Sequence, residues 1–353
     1  MHYVGIDLSK RKFTVAYMNT DGLVVRRTEY GTDSESVEEF MTTLTSDDQV
    51  ALEAGCGMYR FYDLLEPHVS AVKVINTYKF KVIKTSIRKT DANDAELIAR
   101  FLRMNELPEV FIVGKDYRII RELTSFRRKL VGQNTMMRNR IQALFQKHGI
   151  SLERKFLDNP KHRPSLLRAP LSEDALFQVQ ICFATIEVTE RSISDIETKM
   201  RSIVRSSRTM RKETEKLLQL PGIGEMSAII LCGEIGGQID RFRSKKEFAS
   251  YAGLVNRTQQ SGDTSRQLSV KRGRLELKTI MIHAVLTQVG RYRNPIVDYY
   301  ELKRREKCVG KAVMASARKM LTGIYIMLKY DKDYFYIERE LYNRKLKSFA
   351  LSA

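Results

Sequence analysis

Cysteine and histidine are scarce in this chain and dispersed where they occur. Cys56, Cys182, Cys232 and Cys308 lie far apart, with no C-x-x-C pair among them. That spacing argues against a zinc site and against a disulfide framework. The five histidines are equally scattered, so a histidine-based metal centre is not expected. No stretch approaches the ~18 consecutive apolar residues of a membrane span. The start, Met1-His2-Tyr3-Val4-Gly5-Ile6-Asp7, lacks the basic start, apolar centre and small-residue cleavage site of a signal peptide. The expectation is a soluble, cytoplasmic protein. There is no P-loop and no second glycine-rich phosphate loop, which argues against a sugar-kinase-like or actin-like ATPase. Internal repeats and low-complexity tracts are absent too.

Positive charge is abundant. Net charge is +19, with 61 lysines and arginines against 42 acids. A chain this basic usually meets a polyanion. The excess is uneven: residues Gly262 to Tyr330 hold 15 lysines and arginines but 5 acids. Nucleic acid is the leading partner.

The patterning divides the chain into three stretches. Residues 1–114 read as α/β. Strands are predicted at Tyr3–Leu8, Phe13–Met18 and Leu23–Tyr30, with Asn19-Thr20-Asp21-Gly22 as a hairpin turn. A helix follows Thr32-Asp33-Ser34, then a strand at Gln49–Glu53, a helix at Tyr59–Leu65, a strand at Ala71–Ile75 and a helix from Asp91 to about Met104. Three strands, helix, strand, helix, strand, helix is the order of a ribonuclease-H-like domain. Residues 115–215 read as two long amphipathic helices. One has a seam of Ile119, Leu123, Phe126, Leu130, Met137, Ile141 and Leu144, interrupted by Asn134. The other has Val179, Phe183, Ile186, Ile193, Ile196, Met200 and Ile203. The spacing is that of a coiled-coil arm, paired internally or with a second subunit. A basic, proline-bearing connector joins the helices from Asn159-Pro160 to Ala169-Pro170. Residues 216–353 read as a third, mostly helical unit.

Two features of this framework carry chemistry. Asp7 and Glu53 fall at the ends of predicted strands, where loops leave side chains free. Asp91 and Asp94 lie in Lys89-Thr90-Asp91-Ala92-Asn93-Asp94-Ala95; at i and i+3 of a helix start they share a face. Converging carboxylates repel unless a cation lies between them, and hard oxygen ligands favour Mg²⁺ or Mn²⁺. Two such ions stabilise the attacking and leaving oxygens of a phosphodiester. The second feature is Leu220-Pro221-Gly222-Ile223-Gly224, set between helices. Gly222 and Gly224 allow a tight turn, and the next helix start offers bare N–H groups to a phosphate. This is the hairpin of a helix-hairpin-helix element, which holds DNA without reading its sequence.

A third stretch, Tyr251 to Gly262, reads as a helix leaving into a polar loop with Arg257 and Ser261, followed by Arg266, Lys271, Arg272 and Arg274. Chemistry alone does not single out Ser261, since Ser265 and Ser269 are neighbours and a serine hydroxyl is a poor nucleophile until activated.

Taken together these landmarks resemble the DEDD transposases of the insertion sequence 110 family. The resemblance is carried by Gly5-Ile6-Asp7-Leu8-Ser9-Lys10, Leu52-Glu53-Ala54, the Asp91–Asp94 stretch, Leu220–Gly224, Gly253-Leu254-Val255, Ser261-Gly262, Lys271-Arg272-Gly273 and Ala317-Arg318-Lys319. It spans nearly the whole chain. Cys56 and Met58 depart from a usually glycine-rich stretch, and Asn256 stands where a proline is frequent. The resemblance implies a RuvC-like domain with Asp7, Glu53, Asp91 and Asp94 as a magnesium-binding catalytic set. It implies a nucleophilic Ser261 that links covalently to DNA, and a composite site shared across a dimer or tetramer. It also implies a structured guide RNA that pairs with donor and target DNA. Arg257, Arg266, Lys271, Arg272, Arg274, Arg318 and Lys319, with Gly222 and Gly224, are the expected nucleic-acid contacts. Two alternatives stay open: a RuvC-like nuclease or junction resolvase that needs the acids but not the serine, and a non-enzymatic nucleic-acid-binding protein.

Overall fold

The computed structural model describes residues 1–80, 91–255, 257–261, 264–268 and 273–351, with 257–261 and 264–268 described by their backbone. The chain forms two compact units, Met1–Ile112 and Val113–Ala353. The expected boundary at 114 lies beside this division. The expected boundary at 215 falls inside the second unit.

The first unit is built on β1 (Tyr3–Leu8), β2 (Lys12–Met18), β3 (Val24–Gly31), β4 (Gln49–Glu53) and β5 (Ala71–Ile75), interleaved with α1 (Ser34–Thr42), α2 (Met58–Leu65), α3 (Thr77–Phe80) and α4 (Asp91–Arg103). The sheet order is β3-β2-β1-β4-β5. β1–β2 and β2–β3 are antiparallel, whereas β1–β4 and β4–β5 are parallel. These directions and this order are those of a ribonuclease-H-like sheet.

Alternation along the strands decides what each face buries. Val4 and Ile6, with Val50, Leu52 and Val74, pack with Phe13, Phe40, Phe61 and Leu65 under α1 and α2. The opposite face gives Tyr3, Ala51 and Ile75 to a second cluster with Ile98 and Leu102 of α4. α4 buries Ala95, Ile98, Ala99 and Leu102, an i, i+3, i+4, i+7 stripe. Fully buried Asp48 accepts from the backbone N–H groups of His2 and Thr45, and Gln49 N–H donates to the His2 carbonyl. These bonds pin the start of β1 to β4 and so set their register.

The second unit opens with α5 (Lys115–Lys147) and continues through α6 (Arg154–Asp158), a 3₁₀ turn at Pro160–His162, α7 (Arg163–Leu166) and α8 (Glu173–Ser206). α5 and α8 have 33 and 34 residues, each about 50 Å long at ~1.5 Å per residue. They pair with each other, antiparallel: Arg127 reaches Glu197, Asn134 takes a hydrogen bond from Thr189, and Arg138 reaches Glu190. The seam departs from expectation at its ends. Ile120 is fully buried and Phe126 is 53% exposed. The reason is a second partner. A β-carbon on Gly233 would meet Ile120 Cγ2 at 2.4 Å, so the start of α5 turns toward the helix that carries Gly233 as well as toward α8. At the far end Ile141, Leu144 and Phe145 form a separate small core with Val179, Phe183, Ile186 and the connector residues Leu157 and Leu166.

The remaining elements are α9 (Arg208–Leu217), α10 (Glu225–Ile235), α11 (Lys245–Tyr251), β6 (Arg257–Ser261), β7 (Thr264–Leu268), α12 (Leu275–Gln288), α13 (Pro295–Glu306), α14 (Val309–Lys329) and α15 (Arg339–Leu351). α10 is apolar apart from Glu225, Ser227 and Glu234, and buries Ala228 through Ile235. It lies in the main core with Met281, Val285, Ala317, Leu321 and Ile324. Ile120, Leu130, Ile196, Met200 and Val204 join that core, so the near half of the long helical pair is part of it. Among the described residues no helix is long and apolar enough to cross a membrane.

Candidate active site

Asp7 and Glu53 are one position beyond the register pair Ile6–Leu52 on parallel strands. Alternation puts Asp7 on the face of Tyr3 and Gly5, and Glu53 on the face of Ala51. Both positions therefore belong to the α4 side of the sheet, at the carboxyl edge of β1 and β4. α4 lies close to that face because Gly5 has no side chain: a β-carbon there would be 2.1 Å from the Ala95 carbonyl oxygen and 2.5 Å from the Ala99 nitrogen. Asp94, the residue before Ala95, is 8% exposed. Asp91 opens the same helix with its side chain 57% exposed, 3.8 Å from Lys12 Nζ. Lys12 also donates to Glu29 at 2.7 Å, and that carboxylate holds its ammonium above the ordinary lysine range. The i, i+3 pair is thus divided, Asp94 buried on the sheet and Asp91 over β2.

The donor set is all carboxylate oxygen, which suits a hard divalent cation. Among the described residues, no group of three or more Asp, Glu, His or Cys side chains is gathered closely enough to ligate one. Asp7, Glu53 and Asp94 have other partners, and Asp91 leans on Lys12. The placement on one sheet edge fits a divalent metal.

The serine predicted in a loop is on a strand instead. Ser261 ends β6 and pairs with Thr264 of β7 in a two-stranded antiparallel ribbon. Gly262-Asp263 between two runs is a hairpin signal in the sequence. It is masked there because Thr258, Gln259 and Gln260 lack the apolar alternation of a half-buried strand. Arg257 and Arg266 lie on the two strands. Lys271, Arg272 and Gly262 are outside the described residues.

The other expected contacts fall in three places. Arg318 and Lys319 are exposed on α14, with Lys319 Nζ 4.5 Å from the Tyr299 ring centre. Gly224 is exposed and caps the N-terminus of α10, where an added β-carbon would meet nothing within 4 Å. Gly222, at φ +75°, is required from within: an added β-carbon would be 2.4 Å from the Ala284 carbonyl of α12. Arg274 turns to Tyr251, with Nε 3.1 Å from the hydroxyl, and lies 3.4 Å from the buried Glu234 carboxylate. Nothing in the sequence spacing joins Glu234 to Arg274.

Comparison with known proteins identifies the family. A family model described as Transposase, for the DEDD group of IS110, matches residues 4–150. A second, described as Transposase IS116/IS110/IS902 family, matches residues 214–301. The chain is 22% identical over 342 residues to the transposase for insertion sequence element IS1111A of Coxiella burnetii, covering 94% of this chain and 90% of that one. It is 26% identical over 291 residues to a probable family 20 transposase of Pseudomonas aeruginosa, covering 79% and 82%. It is 27% identical over 146 residues to the pilin gene-inverting protein of Moraxella bovis, covering 40% and 45%. With both family models matched in order, one on the acid-bearing sheet and one from α9 to α13, the chain belongs to the IS110 family of transposases and is a DNA transposase/recombinase.

Proposed function

We propose that this transposase cuts and rejoins DNA through a covalent link between phosphate and Ser261, with Asp7, Glu53, Asp91 and Asp94 holding magnesium. The observation that carries the acidic half is the juxtaposition of Asp7 and Glu53 in register on neighbouring parallel strands, with the first turn of α4 drawn onto the same face by Gly5. The serine half is supported by the place of Ser261 at the end of a polar ribbon strand, with arginines at positions 257 and 266 on the paired strands.

The chemistry balances without an external energy source. Ser261 Oγ bonds to phosphorus as the bond from phosphorus to one deoxyribose oxygen breaks. The serine proton passes to a base, and the released hydroxyl takes up a proton. A hydroxyl from the partner strand then attacks the phosphoserine, and Ser261 leaves with its proton restored. The phosphoester bond is kept throughout, so rejoining needs no nucleotide. A bound divalent ion would neutralise charge on the transferring phosphoryl group. The arginines of the ribbon are suited to hold that group by charge-assisted hydrogen bonds.

Donor and target DNA are the substrates, held in part by Gly224 at the start of α10 and by Arg318 and Lys319. Net charge of +19 also suits a structured RNA encoded by the element, which would move sequence choice out of the protein. A homo-oligomer would supply acids and serine to one phosphodiester.

Denaturing gels of protein incubated with Mg²⁺ and DNA carrying the element's ends test the reading. A covalent adduct that Ser261→Ala abolishes supports it. Cleavage that persists in Ser261→Ala, with water as nucleophile and no adduct, would reassign the protein as a metal-dependent nuclease of the resolvase type. Sequencing the nucleic acid that co-purifies with the protein tests the RNA; one abundant structured transcript is expected.

A further inference from the structure

Arg274, expected from sequence to contact nucleic acid, has a different setting. Its backbone N–H donates to the Tyr251 carbonyl at 2.9 Å. That bond joins the end of α11 to the start of α12 and closes the excursion that carries β6, β7 and Ser261. Beside it, a β-carbon on Gly273 (φ +139°) would lie 2.5 Å from the Gly253 Cα, so the two legs of the excursion pass each other with glycine against glycine.

Side chains lock the same point. The Tyr251 hydroxyl donates to the Glu234 carbonyl at 3.2 Å. It accepts from Arg274 Nε at 3.1 Å and from Arg121 Nη2 at 3.3 Å. Arg121 also donates to the carbonyls of Gly233 and Glu234, at 2.8 and 2.7 Å, capping the last turn of α10, where cations are favoured. Arg241 lies 4.8 Å from the Tyr251 ring centre. The Glu234 side chain is 5% exposed, and its Oε2 lies 3.4 Å from Nε of Arg274, an ion-pair contact without a hydrogen bond, while the Arg274 side chain is 41% exposed. A buried carboxylate needs such a partner.

We propose that Arg274, with Tyr251 and Glu234, is a positioning residue for the nucleophile: it fixes the root of the Ser261 ribbon on the core helix α10 and makes no contact with DNA. This rests on the reading of Ser261 as the nucleophile. Correct aim of an attacking group is worth a great deal, since displacement by about 1 Å can cost ~10²-fold in rate.

Three variants test it in the full-length protein: Arg274→Gln, Arg274→Lys and Tyr251→Phe, the last retaining the Arg274–Glu234 pair and so guarding against misfolding. Affinity for a plain duplex is measured across a NaCl series, and recombination on a plasmid carrying the element's ends. The expected result is wild-type affinity and salt slope in all three, with recombination and adduct formation lowered roughly 10–100-fold. Arg274→Lys stays defective, because the lysine nitrogen lies one bond beyond the position of Nε, the atom that meets both Tyr251 and Glu234. Loss of affinity in Arg274→Gln with a salt slope reduced by about one would make Arg274 a phosphate contact and overturn the proposal. So would wild-type recombination in Tyr251→Phe or Arg274→Lys. Ser261→Ala run in parallel separates the two ideas: if it still recombines, the nucleophile is wrong, whereas the salt series still decides whether Arg274 touches DNA.

Discussion

The carbonyl oxygen of Ala95 lies 2.1 Å from where a β-carbon on Gly5 would sit. One strand residue without a side chain therefore sets the distance between α4 and the sheet, and with it the position of Asp94.

Gly5→Ala is expected to push α4 off β1. Overpacking against backbone costs roughly 1–3 kcal/mol, and each kcal/mol lowers the melting temperature of a domain this size by about 4–8 °C. Thermal unfolding and Mg²⁺-dependent cleavage should both fall. Cleavage at the wild-type rate would show that the helix spacing does not govern the acids.

Asp94→Asn separates stability from chemistry. Asp94 is buried at the edge where Asp7 and Glu53 also end. Asparagine keeps the size of the side chain and one acceptor oxygen, so the melting temperature in metal-free buffer should change little. Cleavage should drop by at least ~10²-fold, as expected for several kcal/mol of lost transition-state stabilisation. Calorimetric titration with Mn²⁺ should show weaker binding. Unchanged Mn²⁺ affinity would remove Asp94 from the ligand set.

Gly222 and Gly224 should respond differently. Gly222→Ala forces a side chain onto the Ala284 carbonyl at positive φ, and should destabilise the second unit by ~1–3 kcal/mol. Gly224→Ala meets nothing within 4 Å and should leave urea unfolding almost unchanged. Equal losses for the two would mean that Gly222 is not held by α12.

Glu213 gives the fold a pH dependence. It accepts from the Tyr117 hydroxyl at 3.1 Å and faces the Cys232 thiol at 3.3 Å. Burial pushes its carboxyl above the ordinary 4.5. The folded state therefore holds this proton more tightly than the unfolded chain. The stability it contributes is complete below 4.5 and is lost as pH rises through the folded value. Glu213→Gln should match the wild type in acid and become progressively more stable than it as pH rises. Parallel melting-temperature curves would refute the assignment.

The α/β unit was legible because each strand announces itself twice, by alternation and by turn residues such as Asn19 and Gly22. The acids could be placed on strand ends and a helix start from the same pattern. Three things were not legible. The β6–β7 ribbon is polar, so no buried face marks it. Phe126 has the spacing of a seam residue, but α5 has two partners, and only their combined geometry selects Ile120 for burial and leaves Phe126 in solvent. Arg274 shows its charge in the sequence and not its direction, and the buried carboxylate it pairs with, Glu234, is forty residues earlier in the chain.

Tyr251 and Arg274 stand side by side at the root of the ribbon, so α11 and α12 are indifferent to how much chain runs out and back between them. Loop closure becomes costlier by only ~0.6 kcal/mol for each doubling of length. Residues added in matched pairs on the two strands preserve which side chains point to which face. Tolerance of added chain is therefore a property of the helical body alone, and says nothing of where the end of β6 comes to lie.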